Sequence, residues 1–518
     1  MQKNKKLPIG IQTFANLIEE GYLYVDKTPF IHKLTGQGKY YFLSRPRRFG
    51  KSLFISTLKA AFEGRRDLFQ GLFLYDNRDW SKINPVVHIS FGSGVMRSVR
   101  DLEIRFSVIL DNHVRLHDLQ LCQDDLRERF AELIQILYEK TGRRVVVLVD
   151  EYDKPILDSI DNTEMAVALR EELKNYYSVI KDADPFIEFV FITGVSKFSK
   201  VSLFSGLNNL EDITISPDFS AICGYTQDEL ETVFDGWIGD DVDLSKVKTW
   251  YNGYSWLGRE VYNPFDILLY LKQKEFRNFW FETATPTFLI RLLQEKKYYI
   301  PALHDLKASE KILGSFDVDR MEIETLLFQT GYLTIKETRP MGGMRWFQLG
   351  YPNQEVRQSL NDYILSFLTE TTVAQENNKF ALYEALLAKD FHALKQILQA
   401  FFSSIPHDWY RKNQLANYEG YYASIVYCYF AALGIDVCVE DATNHGRIDM
   451  TVKLGAHIYI IEFKVVELLA KGRALQQIKN KGYADKYRTS GAIIHMIGVE
   501  FSSEKRNLVR FEVESKKV

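Results

Sequence analysis

The stretch LSRPRRFGKS, Leu43 to Ser52, decides the fold predicted for the first part of the chain. It ends in Gly50, Lys51 and Ser52, as a phosphate-binding loop does. In such a loop, backbone N–H groups and a helix N-terminus face the anion, the lysine reaches the β- and γ-phosphates, and the hydroxyl binds Mg²⁺. The pattern G-x-x-x-x-G-K-[ST] asks for glycine where this chain has Arg45. The stretch predicts a nucleotide site; a basic surface turn is the alternative.

The sequence around the loop supplies the context that the motif needs. Tyr40–Ser44 predicts a strand before the loop, and Leu53–Phe62 predicts a helix after it. About a hundred residues later, the apolar run Val145–Val149 ends in Asp150 and Glu151. Ligands of parallel sheets bind at the carboxyl ends of the strands. We therefore expect Asp150 to hold Mg²⁺ through water and Glu151 to polarise the attacking water.

Two further strands belong to the same pattern. Ile187–Thr193 predicts a strand, and Thr193 or Ser196 at its end is a candidate γ-phosphate sensor. Pro85–Ser90 predicts another, as expected for the P-loop branch that inserts a strand and uses a catalytic glutamate. Short apolar runs alternate with helical stretches at 100–140 and 163–181, which favours a parallel sheet with flanking helices.

Composition describes an ordinary globular protein. The 518 residues are 46% hydrophobic and 26% charged, with a net charge of −3, so a nucleic-acid surface would have to be local. The four cysteines show no zinc spacing and are interpreted as core residues of a cytoplasmic protein: Cys122, Cys223, Cys428 and Cys438. No run of about 18 apolar residues occurs, so no membrane span is predicted.

Changes of pattern predict three domains, at residues 1–225, 226–412 and 413–518. The middle region is mostly helical, with a turn-rich phrase, YNGYSWLGREVYNP. Further on, Glu322–Leu333 predicts a helix, residues 333–349 a hairpin around Gly342-Gly343, and Glu355–Leu368 a second helix. This order is winged-helix-like, and a plain α+β lid is the alternative.

A second candidate site lies in GRIDMTVKLGAHIYIIEFKVV, residues 446–466. A tight turn at Gly455-Ala456 predicts a hairpin in which Leu454 faces His457. Continuing that register pairs Asp449 with Glu462. Directly opposed carboxylates destabilise a sheet unless a positive charge lies between them.

A divalent cation would satisfy this pair. Period-two alternation puts Lys464 on the same face as Glu462. Hard oxygen ligands suit Mg²⁺ or Mn²⁺. Two carboxylates, a cation and a lysine make up a site for phosphodiester hydrolysis, in which Asp449 and Glu462 hold the metal and Lys464 orients the nucleophile. A solvent-facing charge pair is the alternative. Glu462, Phe463 and Lys464 lie inside the apolar run IYIIEFKVV, however, where exposed charges are unexpected.

The N-terminal motifs resemble the AAA-ATPase-like family of bacteria. The resemblance rests on residues 7–34, RPRRFGKSLFISTL, LVDEYDKPI and residues 191–216. An arginine-rich loop is typical of that family, which implies that Arg45, Arg47, Arg48 and Phe49 accompany Gly50, Lys51 and Ser52 in binding ATP. The segment Tyr24–Thr28 recurs in the family; a place near the nucleotide base and a structural lead-in are equal alternatives.

The C-terminal motif, Asp449 followed thirteen positions later by the E-F-K triplet at Glu462, resembles the PD-(D/E)XK nuclease superfamily. The resemblance implies a restriction-endonuclease-like α/β domain, with Gln477 as a supporting catalytic residue and Glu419 as an additional metal ligand. Residues 465–490 carry an excess of positive charge that suits a phosphate backbone, although a helix this basic is more often merely solvated.

Together these features predict an α/β protein: a P-loop sheet with flanking helices, a helical or winged-helix-like middle region and a C-terminal nuclease-like domain. The predicted function is an ATPase that uses ATP and Mg²⁺, coupled to a metal-dependent DNA nuclease. The alternative is an ATP-regulated switch or scaffold whose nuclease-like domain binds nucleic acid without cutting it. The sequence leaves the oligomeric state open.

Overall fold

The computed structural model describes most of the chain: residues 5–197, 200–204, 207, 209–239, 242–280, 289, 292–293, 296, 298–310, 313–314, 322–368, 372–404, 419–467 and 472–517. It has two compact units. The first comprises Met1–Ala284 and Lys307–Asn353, and the second Thr285–Leu306 and Gln354–Val518. This division does not follow the three predicted domains, because the region 226–412 contributes to both units.

The first unit contains a five-stranded parallel sheet. Its strands are β1 (Tyr40–Ser44), β2 (Val86–Ser90), β3 (Val145–Asp150), β4 (Ile187–Gly194) and β5 (Glu211–Asp212). They lie in the order β2-β3-β4-β1-β5. Every residue of β1 and β3 is buried, as the apolar runs predict for central strands covered on both faces. The inserted strand, between β1 and β3, is β4; the strand predicted at 85–90 is the sheet edge. The predicted α/β fold class is confirmed.

Helices of the first unit flank this sheet. The stretch predicted as helical at 100–140 is two helices, because the chain turns at Asp118 (φ 49°) and Asp125 caps the second one by accepting the N–H groups of Arg127 and Glu128. The helices are Phe14–Glu19, Thr28–Gln37, Lys51–Phe62, Phe73–Asp76, Val99–Leu116, Leu126–Thr141, Lys154–Leu157, Thr163–Asp182, Lys200–Leu203, Gln227–Val233, Asp235–Ile238, Leu244–Tyr251, Pro264–Gln273 and Ile323–Thr330.

A small three-stranded sheet contains the predicted hairpin. Its strands are β6 (Leu306–Ser309), β7 (Thr334–Met341) and β8 (Met344–Gly350), in the order β6-β8-β7. The turn is at Gly342-Gly343, as predicted. The helix before it, Ile323–Thr330, is shorter than predicted, and the helix after it, Gln354–Leu368, belongs to the second unit. The winged-helix-like order is therefore not one compact piece.

The second unit is built on a mixed sheet. Its strands are β9 (Asp436–Thr443), β10 (Gly446–Leu454), β11 (His457–Val466), β12 (Ile493–Ser502) and β13 (Asn507–Lys517), in the order β13-β12-β11-β10-β9. Only β11 and β12 pair in parallel, and the helix Arg473–Asn480 lies between them in the chain. The remaining helices are Gln354–Leu368, Thr372–Ala388, Phe391–Ser404 and Glu419–Ala432. The last two described helices of the mostly helical middle region are Thr372–Ala388 and Phe391–Ser404, and residues 405–412 lie outside the described residues.

Candidate functional sites

The loop after β1 ends in the geometry of a phosphate-binding loop. Gly50 has φ 90°, a left-handed conformation that favours glycine, and the helix Lys51–Phe62 begins directly after it. The ammonium of Lys51 is 7% exposed and donates to the carbonyl oxygens of Arg45 and Pro46, each at 2.9 Å. Burial lowers the pKa of Lys51. The lysine thus lies inside its own loop, with its charge held by dipoles that phosphate oxygens could replace.

Phe49 and Arg48 of this loop pack on aromatic side chains from later in the chain. The ring of Phe49, 1% exposed, meets Tyr254 and Trp256 edge-on, with centroid distances of 4.8 and 5.4 Å. The guanidinium of Arg48 lies 4.7 Å from the centroid of the Phe265 ring. Tyr254, Trp256 and Phe265 therefore hold the loop in place. They lie in the phrases YNGYSW and VYNPF, for which only turns were predicted.

Arg45 has a structural role, which corrects its predicted place among the nucleotide ligands. Its side chain is 0% exposed and its guanidinium stacks 4.0 Å from the centroid of the Trp256 ring. It donates to the carbonyl oxygens of Thr214 at 2.9 Å and Phe219 at 3.1 Å. Burial lowers the pKa of Arg45 to about 10. An arginine fits the position where the common motif has glycine because the side chain points into the core.

A cavity of about 540 Å³ opens in front of the loop. One side of it is apolar and includes Tyr24, Val25 and Leu268, and the acidic residues Glu151 and Asp153 lie on its wall. The place of the Tyr24 segment near a nucleotide base stays a prediction that this lining favours. The predicted ligands that line the cavity are Arg47, Arg48, Phe49, Gly50, Lys51, Ser52 and Glu151.

Asp150 and Glu151 point to different environments. Asp150 is 5% exposed, does not line the cavity and accepts a hydrogen bond from Thr193 Oγ1 at 2.9 Å. Glu151 has φ 55° and lines the cavity. Burial raises the pKa of Glu151, and the charge of Asp150 raises it further. A carboxyl group whose pKa is raised is suited to accept a proton, as a general base must.

Ser196 does not line the cavity either, and its hydroxyl is engaged elsewhere. It is 0% exposed, and its N–H and Oγ both donate to Asp153 Oδ2 at 2.8 Å. Asp153 also accepts from the N–H of Val195 at 3.2 Å. Sequence reasoning missed Asp153, although it follows the acidic pair by two residues. Ser196 therefore contacts Asp153, which lines the cavity, and does not itself line the space where a phosphate would bind.

The C-terminal hairpin has the predicted register over most of its length. Leu454 pairs with His457, and the ladder runs to Met450 and Ile461. It stops there, one pair before Asp449 and Glu462, so the predicted direct pairing of these two acids lies just beyond the hydrogen-bonded ladder and stays a prediction. The Asp449 carboxylate instead accepts the backbone N–H of Phe463 at 2.8 Å. The side chain thus takes the place of a strand bond and is held beside the start of the E-F-K triplet.

Glu462 is the buried acid of this site. It is 0% exposed, and its pKa is raised from 4.5 to about 8, first by burial and then by the charge of Asp449. Its Oε1 accepts from Gln477 Nε2, and from Lys464 Nζ at 3.4 Å. Its Oε2 is buried and has no hydrogen-bond partner among the described residues. A buried oxygen without a partner is costly, and a cation bound there would satisfy it.

A close approach between helix and strand brings Gln477 to this acid. Gly498 of β12 pairs with Glu462 of β11. A Cβ at position 498 would lie 2.3 Å from the backbone nitrogen of Leu475, so the helix Arg473–Asn480 packs directly on the glycine. Tyr483, 2% exposed, packs in the same hydrophobic cluster as Ile478 of that helix. Glycine at 498 is the local condition for the Glu462–Gln477 bond.

The predicted third metal ligand cannot be placed. Glu419 begins the helix Glu419–Ala432, but its side chain lies outside the described part of the structure. Within that part, no three His, Cys, Asp or Glu side chains are arranged to hold a metal ion. The residues present still fit a cation, because they include the unpartnered oxygen of Glu462 beside the carboxylate of Asp449.

The basic segment and the cysteines differ from expectation. Lys479, Lys486 and Arg488 form ion pairs with Glu514, Asp441 and Asp485, so much of the predicted positive strip is neutralised.

Cys223 and Cys428 are buried as expected, Cys438 is half-buried and Cys122 is exposed. None of the helices in the described ranges has the length and apolar character needed to cross a membrane.

Comparisons with known proteins agree on two regions. Residues 8–204 match a family described as "Predicted AAA-ATPase", and residues 417–511 match the PD-(D/E)XK nuclease superfamily. The chain is 52% identical over 514 residues to an uncharacterized protein in the vnfD 5′ region of Azotobacter chroococcum mcd 1, and covers 99% of it.

Among solved structures, the Aeropyrum pernix ORC1 protein in complex with DNA matches 66% of this chain and 93% of its own. The identity is 11% and the TM-score 0.25, so this likeness supports no conclusion about fold or ligand.

Proposed function

The chain belongs to the predicted AAA-ATPase family and carries a PD-(D/E)XK nuclease superfamily domain, and from that premise we propose that it hydrolyses ATP and cuts DNA with a divalent cation. The observation that carries the nuclease half is Glu462, an acid buried inside a strand with one oxygen unpartnered and a second carboxylate, a lysine and a glutamine beside it. Burying an acid in this way is costly, so a functional site is its natural explanation.

In the ATPase half, the residues around the cavity have distinct tasks. Lys51 exchanges the carbonyls of Arg45 and Pro46 for phosphate oxygens, and the exposed Arg47 adds positive charge at the cavity wall. Ser52 offers a hydroxyl to Mg²⁺. Glu151, whose pKa is raised by burial, accepts a proton from the attacking water. Predicted ligation of Mg²⁺ by Asp150 through water rests on its position at the end of β3.

In the nuclease half, Asp449 and Glu462 would hold Mg²⁺ or Mn²⁺, with Glu419 as a further candidate. When bound, the cation supplies electrostatic stabilisation of the charge that develops on the phosphate. Gln477 fixes the orientation of the Glu462 carboxylate through Oε1 and leaves Oε2 for the metal. Lys464, 26% exposed on its side chain, reaches from the buried acid toward solvent, where it can orient the nucleophile.

Nicking of supercoiled plasmid tests the nuclease activity. Wild-type protein is expected to nick with Mg²⁺ or Mn²⁺, and Glu462→Gln to lose at least about a hundredfold in rate, since second-sphere changes alone cost 10–100-fold. Asp436→Asn, an exposed carboxylate on β9 of the same sheet, is the matched control. Equal nicking by wild type and Glu462→Gln would show that the activity comes from another site or from a contaminant.

The alternative is an ATP-regulated switch or scaffold whose nuclease-like domain binds nucleic acid without cutting it. Plasmid binding without nicking in either metal, by protein that still turns over ATP, would establish this alternative.

Coupling between the two activities is tested at Lys51. If ATP gates the nuclease, Lys51→Ala is expected to abolish the effect of ATP on nicking. Lys59→Ala is the control, because Lys59 lies on the same helix and forms only a surface pair with Glu63 at 3.8 Å. Nicking by Lys51→Ala that responds to ATP as wild type does would refute the coupling.

A further inference from the structure

The hairpin of the first unit extends as an arm. The ladder between β7 and β8 continues to the pair Met341–Met344, yet every residue from Lys336 to Arg345 is exposed. The turn glycines have φ 61° and 78°, and nothing lies within 4 Å of a Cβ built on either. Residues 336–345, the arm, therefore form a projection of two paired strands that faces solvent, and it is held at Arg345, whose carbonyl oxygen accepts the N–H of Glu310.

The tip of the arm is apolar. The side chains of Met341 and Met344 are 61% and 59% exposed, and they form the last pair of the ladder. Paired residues lie on the same face of a hairpin, so the two thioethers stand side by side on one face. Exposed apolar groups at the end of a projection have no role in the core of the unit and mark an interaction site.

One arginine stands on each face of the arm near this tip. Arg339, in the pair next but one to the tip, lies on the methionine face, and Arg345 lies on the other face. The arm contains one carboxylate, Glu337, which pairs with Arg339 at 2.8 Å. No ion pair of Arg345 is found among the described residues. Apolar groups between arginines complement a surface that is anionic at its rim and apolar inside.

Duplex DNA has that chemistry. Proteins that enter its minor groove insert apolar side chains, methionine among them, between base steps and place arginines along the groove. We propose that the arm binds duplex DNA by inserting Met341 and Met344 at the minor groove, with Arg339 and Arg345 beside the phosphates. This proposal rests on the proposed function, in which DNA is the substrate of the nuclease-like domain. It assigns DNA binding to the unit that carries the ATPase domain as well.

Binding is measured by fluorescence anisotropy on a labelled 30-base-pair duplex, with full-length protein carrying Glu462→Gln and in EDTA, so that no cutting occurs. Met341→Ser with Met344→Ser is expected to weaken binding roughly 5- to 100-fold, the range for lost base contacts. Arg345→Gln is expected to lower the slope of log affinity against log salt by about 0.9. Leu116→Ser and Arg127→Gln, exposed changes elsewhere on this unit, are expected to bind as the parent does.

A minor-groove dye is expected to compete with the parent protein, and the paired methionine variant is expected to compete less. Unchanged affinity and salt slope in all arm variants, with circular dichroism showing intact folding, would overturn the proposal while leaving the nuclease assay untouched. Light scattering in which only the arm variants lose self-association, with DNA affinity unchanged, would overturn it in favour of a contact between copies. Arm-dependent binding by the Glu462→Gln protein, together with no nicking by wild-type protein in Mg²⁺ or Mn²⁺, would support the arm and refute the nuclease.

Discussion

Replacing Glu462 by glutamine is expected to remove a pH dependence from the stability of the second unit. The pKa of Glu462 is raised from 4.5 to about 8, chiefly by burial and secondly by the charge of Asp449, against the lowering effect of Lys464. A carboxyl with a raised pKa stabilises the folded state fully below its unfolded pKa, and this contribution is lost as the pH rises through the folded value. The window is therefore pH 4.5 to 8.

The size of the effect follows from the same pair of values. One pH unit corresponds to about 1.4 kcal/mol, so the free energy of unfolding falls by about 5 kcal/mol across the window as an upper limit. Scanning calorimetry of the metal-free protein between pH 5 and 8.5 measures how the free energy of unfolding changes with pH. The relevant signal is the unfolding transition that Glu462→Gln alters. Asp436→Asn, whose side chain is 64% exposed on the same sheet, is expected to keep the wild-type slope.

A cation that needs the ionised acid gives a second readout. Because Mn²⁺ or Mg²⁺ binding requires the carboxylate, the metal is expected to raise the melting temperature of wild type more at pH 8 than at pH 6, and to leave Glu462→Gln unchanged. The reasoning is refuted by a wild-type slope that is flat, or that persists in Glu462→Gln.

Three further changes test other parts of the structure. Phe49→Ala should destabilise the first unit by roughly 3 kcal/mol or more and weaken binding of a fluorescent ATP analogue, whereas Phe73→Ala, at a ring 42% exposed, should cost much less; equal losses would contradict the docked loop. Gly498→Ala should cost roughly 1–3 kcal/mol by pushing the helix off β12, seen as a lower melting temperature, and Gly36→Ala, with nothing within 4 Å of its Cβ, should not. The pKa of His495 is lowered from 6.5 to about 4, chiefly by burial. Its contribution to the free energy of unfolding, about 3 kcal/mol at most, is therefore present above pH 6.5 and lost as the pH falls toward 4. Urea unfolding of His495→Asn at a series of pH values should lack this part of the loss of stability in acid.

Much of the fold was predictable because local pattern and tertiary environment agree. The apolar runs at β1, β3 and β4 are buried on both faces, so hydrophobicity alone locates them. The break in the helical stretch at 100–140 was not, because it occurs without glycine or proline and depends on Asp118 and the cap at Asp125. Glycine and proline mark the end of a helix in the sequence, whereas a helix cap that depends on the surrounding structure does not stand out there.

The site residues divide along the same line. The places of Lys51, Glu151 and Glu462 in the fold could be predicted, because motif spacing fixes them after β1, after β3 and within β11. The side-chain direction of Arg45 could not, since it depends on Trp256, which lies more than two hundred residues away in the chain. The early end of the ladder, at Met450 and Ile461, was not predictable for a related reason: hairpin register predicts strand pairing, but the Asp449 side chain bonds to the backbone N–H of Phe463 where the next pair would form.

The packing of the loop after β1 has a consequence for how a nucleotide would arrive. A glycine-rich loop is free to sample many shapes, and a ligand that fixes one of them must overcome that lost freedom. Here Phe49 and Arg48 are already seated on Tyr254, Trp256 and Phe265. The entropy of ordering is therefore given up when the polypeptide folds, and a triphosphate would meet a loop already shaped in part by Tyr254 and Trp256, which do not line the cavity.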